Sequence, residues 1–110
     1  MKRDVRNSNY QIKRIENVVV GADVQARILT LAPGDVIPWH YHKQCADYYF
    51  VLEGTLTIAT REPTIAQRTF GIGATHTIAP GTAHFLTNRS TADCRFLLLQ
   101  GVGTPDWIEV

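Results

Sequence analysis

The sequence has few cysteines, little net charge and no long apolar run, and each shortage excludes a class of protein. Cys45 and Cys94 are too few for a disulfide framework, so we expect free thiols in a reducing compartment. A formal net charge of +1 argues against a surface for nucleic acid or anionic lipid. No run has the length of a membrane span, and residues 1–30 lack the apolar centre of a signal peptide. We therefore expect a cytoplasmic protein with no nucleic-acid or membrane partner.

Sustained helical periodicity is also lacking. Runs of four to seven β-branched, aromatic and alternating residues are separated by turn signals such as Pro33-Gly34, Glu53-Gly54 and Pro80-Gly81. This pattern predicts an all-β fold, and closure into an antiparallel barrel would remove most exposed strand edges. At 110 residues we expect one domain over 1–110, with an N-terminal arm at 1–17 and a C-terminal tail at 101–110.

Two histidines separated by one residue, His40 and His42, stand in one of the predicted strands. Side chains alternate along a strand, so both imidazoles project from the same face. Asp47 lies five residues after His42, and a further imidazole is available downstream at His84. Imidazole nitrogens together with a carboxylate oxygen suit a divalent first-row transition metal.

These residues resemble the first motif of the cupin superfamily. That motif is a glycine, five residues, His-x-His, three or four residues, Glu, six residues and a second glycine. Gly34, His40, His42, Asp47 and Gly54 follow this spacing, with Asp47 in place of the usual Glu.

The second cupin motif is a glycine, five residues, Pro-x-Gly, two residues, His, three residues and Asn. Gly73, Gly81, His84 and Asn88 match it, with the proline displaced by one position to Pro80. The resemblance covers about residues 27–100. It implies a small antiparallel β-barrel, the jelly-roll-like double-stranded β-helix.

The resemblance also implies that four side chains converge on one metal inside the barrel: His40, His42, Asp47 and His84. The ligand types do not choose among iron, manganese, zinc, nickel and copper. Asp47 is one methylene shorter than the usual Glu, which leaves open direct ligation or contact through a water. Gln44, in the same loop, is an alternative source of a neutral oxygen.

Two further residues are candidates for a catalytic role. Tyr49 shares strand parity with Asp47, so we expect it to line the cavity and to be able to hydrogen-bond a substrate. His76 has no motif role, and a half-buried histidine is the ordinary outcome. If it faces the cavity, its pKa near neutrality makes it a candidate general acid or base. Arg27 either enters the barrel, where it would bind a carboxylate, or lies at the rim.

The function that these expectations favour is a metal-dependent enzyme of dioxygenase, isomerase or lyase type, acting on a small organic molecule inside the barrel. The alternatives are a non-catalytic ligand- or metal-binding sensor module, and a metal-free isomerase using His76 or His84 with Tyr49. Trp107 and Ile108 are too apolar to be left in water, so we expect the tail to dock on the barrel or on a second subunit. Together with Val18-Val19-Val20 they predict a homodimer through the N-terminal strands and the tail.

Overall fold

The computed structural model describes residues 2–3, 12–61 and 63–110. Their secondary structure consists of β-strands in the order β1 (Lys2–Arg3), β2 (Arg14–Val20), β3 (Val24–Leu31), β4 (Val36–Tyr41), β5 (Ala46–Glu53), β6 (Leu56–Arg61), β7 (Ile65–Phe70), β8 (Thr75–Ile78), β9 (Ala83–Thr87), β10 (Cys94–Gly101) and β11 (Ile108–Glu109). The all-β prediction is therefore confirmed. Nowhere in this described part of the chain is there a helix with the length and apolar character to cross a membrane.

The strands form two antiparallel sheets. The six-stranded sheet has the order β1-β2-β3-β10-β5-β8, and the five-stranded sheet has the order β11-β4-β9-β6-β7. Strand β10 lies between β3 and β5 in one sheet, while β9 lies between β4 and β6 in the other. Both metal motifs thus contribute strands to each sheet, since β4 and β9 lie in one sheet and β5 and β8 in the other.

The core lies between the sheets because inner and outer side chains alternate along the strands. On β5, Asp47, Tyr49 and Val51 are buried, whereas Phe50 and Leu52 are exposed. Strand β10 follows the same rule, with every second residue from Cys94 to Gln100 buried. The predicted shared face of Asp47, Tyr49 and Val51 is confirmed. Tyr49 and Val51 belong to a cluster of buried apolar side chains contributed by both sheets, and burial of such surface is the main favourable contribution to folding.

Two turns hold the ends of the metal-motif strands. The amide of Gly81, just before β9, donates to the carbonyl of His42 at 2.7 Å, which ties β9 to the end of β4. The side-chain Nδ2 of Asn88, just after β9, donates to the carbonyls of Leu31 and Ala92 at 2.9 and 2.7 Å. Asn88 therefore has the backbone-anchoring role typical of an amide at a strand end.

Gly54 closes the turn between β5 and β6 with a φ of 72°. A Cβ at this position would lie 2.5 Å from the carbonyl oxygen of Asp93, so the turn needs glycine for both its conformation and its close approach. This turn carries the chain from β5, the strand that holds Asp47, to β6 in the second sheet.

Strands extend into both of the expected terminal segments. Strand β2 begins at Arg14, so the last four residues of the expected arm at 1–17 pair with β3, while residues 4–11 lie outside the described part. The tail docks on its own barrel, where β11 pairs with β4. Val18, Val19 and Val20 on β2 remain 54, 53 and 64% exposed.

Candidate metal centre

Four side chains from the two sheets meet at one point in the core. His40 on β4 and His84 on β9 are cross-strand partners, and His42 follows two residues after His40. Asp47 projects towards them from β5 in the opposite sheet. Their candidate ligand atoms all lie within 4.8 Å of one another. The structure therefore brings together all four residues that the motifs predicted.

The cluster is almost entirely shielded from solvent. His84 is 0% and Asp47 1% exposed, and His40 and His42 are 3 and 4% exposed. Oδ2 of Asp47 lies 3.1 Å from Nε2 of His84 and 3.3 Å from Nε2 of His42. Ionisable side chains are seldom buried to this extent unless they are paired or hold a metal.

Each imidazole is oriented by a backbone carbonyl. Nδ1 of His40 donates to the carbonyl of Pro38 at 2.7 Å, and Nδ1 of His84 donates to that of Thr82 at 2.9 Å. Nδ1 of His42 makes a short hydrogen bond to the carbonyl of Asp106. A proton on Nδ1 leaves the Nε2 lone pair of each neutral ring directed at the centre, which is the tautomer that a metal ligand requires.

The electrostatics of the cluster favour the ligand forms of two of these groups. Burial, reinforced by the neighbouring His84, lowers the pKa of His40 to about 3, so this ring is neutral at physiological pH. Burial works to raise the pKa of Asp47, but the contacts of its carboxylate with the His42 and His84 imidazoles outweigh burial and hold the pKa below its usual range. Burial works to lower the pKa of His42, but the contact with the Asp47 carboxylate outweighs burial, and the pKa of His42 is raised.

These contacts test whether the residues fit a cation. Two lone pairs facing each other at 3.1–3.3 Å repel, so Asp47 and the Nε2 atoms need a positive charge between them. A proton on His42 supplies it in part. A divalent transition metal supplies it for the whole set, and three imidazoles with one carboxylate are a suitable donor set. The four residues fit the metal site that the motifs predict.

The carboxylate of Asp47 is itself held by two further side chains. The Tyr49 hydroxyl donates to Oδ2 at 2.7 Å, and the Gln100 amide donates to Oδ1 at 3.0 Å. Burial and then the charge of Asp47 raise the pKa of Tyr49 well above its usual value, so the phenol remains a donor. Gln100 was missed by sequence reasoning, although a polar residue in register with the buried Phe96 and Leu98 on β10 is a usable signal.

A cavity of about 440 Å³ opens beside the cluster. Its wall includes apolar side chains from both sheets, among them Leu29, Ile37, Leu86 and Leu98. Arg27 also lines it and donates to Oε1 of Gln100 at 3.2 Å, which settles the open question of its orientation. Since Leu29 and Leu31 on the same strand face are buried, that face of β3 points inward.

The comparisons with known proteins are consistent with this architecture. A profile described as a cupin domain matches residues 27–100, well over half of the chain. The protein belongs to the cupin family. No relative was found for the chain by comparison with curated proteins.

Several solved cupin structures resemble this chain at low sequence identity. An oxalate decarboxylase–formate complex from Lactobacillus farciminis has a TM-score of 0.78 and 15% identity, and the match covers 100% of this chain and 33% of that chain. Recombinant oxalate oxidase in complex with glycolate has a TM-score of 0.72 and 21% identity, and the match covers 79% of this chain and 46% of that chain. KdgF from Halomonas sp. has a TM-score of 0.74 and 19% identity, and the match covers 93% of this chain and 87% of that chain. The match thus spans less than half of either oxalate enzyme, and these similarities establish the double-stranded β-helix fold.

The remaining sequence candidates lie away from the centre of this cupin. His76 on β8 is half-buried, with its ring 4.8 Å from that of Phe70, and it is not among the described residues that line the cavity. Its catalytic role stays a prediction. Gln44 is exposed, and it is not part of the four-residue cluster.

Cys45 lies within reach of His42 and Asp106 in a second group of possible ligands. Burial raises the pKa of its thiol, which favours the neutral form over the thiolate that binds metals. Cys45 and Cys94 are both buried free thiols, in agreement with the expectation for these residues.

Proposed function

We propose that this cupin is a metal-dependent enzyme that acts on a small organic molecule bound in its cavity. The observation that supports this most strongly is the orientation of three buried imidazoles by backbone carbonyls, with the candidate ligand atoms of these rings and of Asp47 all within 4.8 Å of one another. His40, His42, His84 and Asp47 would hold one divalent ion of iron, manganese, zinc, nickel or copper. Such an ion supplies Lewis acidity, or redox chemistry where the metal is iron, manganese or copper.

The side chains around Asp47 prepare it as a ligand. Tyr49 and Gln100 each occupy one carboxylate oxygen, so they restrict its rotation and keep it ionised. Because its pKa is raised, Tyr49 does not serve as a base at neutral pH, and its role is to donate to Asp47 or to a bound substrate. Direct ligation by Asp47 is part of the proposal.

The cavity wall indicates the kind of substrate. Arg27 offers a guanidinium that binds a carboxylate or another anionic oxygen, and Gln25 lies beside it, donating to Gln100 at 2.8 Å. The apolar side chains opposite would accommodate a short hydrocarbon or aromatic portion. The glycolate and formate complexes of oxalate enzymes show that cupins of this fold can hold small carboxylates. We infer a small organic acid as the substrate class.

Elemental analysis of protein purified without a metal-affinity tag tests the proposal directly. We expect about one equivalent of a transition metal per chain, either as purified or after reconstitution. Substrate screening of the loaded protein with small organic acids then distinguishes an enzyme, which turns one over, from a binding module, which only retains it. No metal uptake under any condition would refute the proposal.

A further inference from the structure

The last residues of the chain form a strap against the metal-motif strand. This C-terminal strap is defined as residues 103–110. It is anchored at one end, where the amide of Gly103 donates to the carbonyl of Asp23 at 2.8 Å. At the other end β11 pairs with β4, with Glu109 opposite His40, and the amide of Val110 donates to the carbonyl of Trp39 at 3.3 Å. The strap is therefore fixed to the barrel on both sides of Asp106.

Asp106 fastens the strap to the loop that follows His42. Oδ2 of its carboxylate accepts from the amide of Lys43 at 3.0 Å, and Oδ1 accepts from the amide of Gln44 at 3.3 Å. Its own carbonyl accepts the short hydrogen bond from Nδ1 of His42. The side chain thus places the carbonyl that orients one of the candidate metal ligands.

Trp107 contacts the centre directly. Its ring stacks on that of His40 with 3.7 Å between centroids and 13° between planes, and it meets His42 edge-on at 6.3 Å. Trp107 also lines the cavity. The strap therefore touches two of the three imidazoles, while the third, His84, is oriented by the carbonyl of Thr82 on its own turn.

The strap packs closely against the loop that follows β4, which fixes the strap in place. A Cβ added at Gly103 would overlap the carbonyl of Gln44, in the same loop that Asp106 binds. The strap therefore packs against the loop after β4 at two points, through Gly103 and through the carboxylate of Asp106.

We propose that the C-terminal strap is part of the metal centre and that Asp106 is a positioning residue for His42. The strap lies outside residues 27–100, which carry the cupin match. The inference rests on the proposed metal binding, because it concerns the direction in which Nε2 of His42 points. Groups that orient a ligating imidazole typically contribute about 10- to 100-fold to metal affinity.

The test is a Co²⁺ titration of the full chain and its variants, followed by the visible absorption of the bound ion. Asp106→Ala should bind Co²⁺ about 10- to 100-fold more weakly than wild type. Asp106→Asn keeps one acceptor oxygen, so its Co²⁺ affinity should lie between those of wild type and Asp106→Ala. Asp93→Ala is the matched control, since it removes an exposed carboxylate that pairs with Lys13 away from the cavity, and it should bind as wild type does.

A double-mutant cycle separates positioning from a general loss of structure. In the His42→Ala background the ring that Asp106 orients is gone, so Asp106→Ala should cause no further loss of the remaining Co²⁺ affinity. Equal, additive losses in both backgrounds would overturn the inference, as would wild-type affinity in Asp106→Ala. If Asp106→Ala does not fold, Asp106→Asn decides the question by the same comparison. Failure of the wild-type chain to bind Co²⁺ or any other transition metal would instead overturn the proposed function itself, and the inference with it.

Discussion

Removal of one predicted ligand, in parallel with removal of a histidine outside the cluster, tests the metal centre most sharply. His84 is 0% exposed with Nε2 3.1 Å from Asp47, whereas His76 packs against Phe70 on a different strand. His84→Ala should therefore lose the stabilisation that added metal confers, and His76→Ala should retain it. Both variants change the stability of the metal-free protein, so the quantity compared is the shift in Tm that metal causes within each variant.

The magnitude follows from linkage. A ligand present at 100 times its Kd stabilises the folded state by about 2.7 kcal/mol. For a chain of this length an unfolding entropy of about 2.1 cal/mol/K per residue converts each kcal/mol into roughly 4 °C of Tm. At a metal concentration of 100 times the wild-type Kd, wild type and His76→Ala should therefore gain about 10 °C. His84→Ala, whose weakened site needs a higher metal concentration to fill, should gain no more than a small fraction of this.

The assay is thermal unfolding of the apo and metal-loaded forms, monitored by circular dichroism. His40→Ala and His42→Ala extend the series and should behave like His84→Ala. A metal response that is lost in His76→Ala and kept in His84→Ala would refute the assignment, because the site would then be built from other strands.

Further predictions concern the carboxylate, its donor, the thiols and self-association. Asp47→Asn should lose most of its metal while Asp47→Glu retains it, as measured by elemental analysis; equal content in wild type and Asp47→Asn would show that three imidazoles suffice. Tyr49→Phe should weaken Co²⁺ binding by about 10-fold without loss of fold, and an unchanged Kd would show that its hydroxyl does not support Asp47. Burial raises the pKa of Cys94 to about 12, so intact protein at pH 8 should resist alkylation there and unfolded protein should not; rapid labelling of the native form would contradict its burial. We propose a homodimer through the exposed Val18–Val20 segment, so sedimentation at micromolar concentration should give twice the chain mass and Val19→Lys should give a monomer; a monomeric wild type would end this proposal.

Much of the metal centre could be predicted from the sequence, because strand alternation and motif spacing relate its residues along the chain. Strand periodicity places His40 and His42 on one face and Asp47, Tyr49 and Val51 on another, and the structure confirms both relations. The spacing of two motifs then predicted that His84 would join them, although 42 positions separate it from His42.

Other features of the same centre depend on which strands become neighbours, and no local pattern contains that information. Gln100 reaches Asp47 only because β10 pairs with β5, and Arg27 enters the cavity only because β3 turns its Leu29 face inward. A strand pattern shows that a residue alternates with its neighbours, but it does not show which of the two faces is the inner one.

The C-terminal strap shows the same difference between what the sequence indicates and what the tertiary structure decides. The sequence by itself indicated that Trp107 and Ile108 would pack against other residues, since burial of apolar surface is favourable wherever it occurs. In the structure Ile108 is half-buried and Trp107 remains 39% exposed. Only the tertiary structure decided that they dock on the chain's own β4, that Trp107 stacks on His40 and that the carbonyl of Asp106 orients His42. The hydrophobic effect is non-directional, so it specifies that a segment is covered and leaves its partner to the strand pairing and hydrogen bonds of the folded molecule.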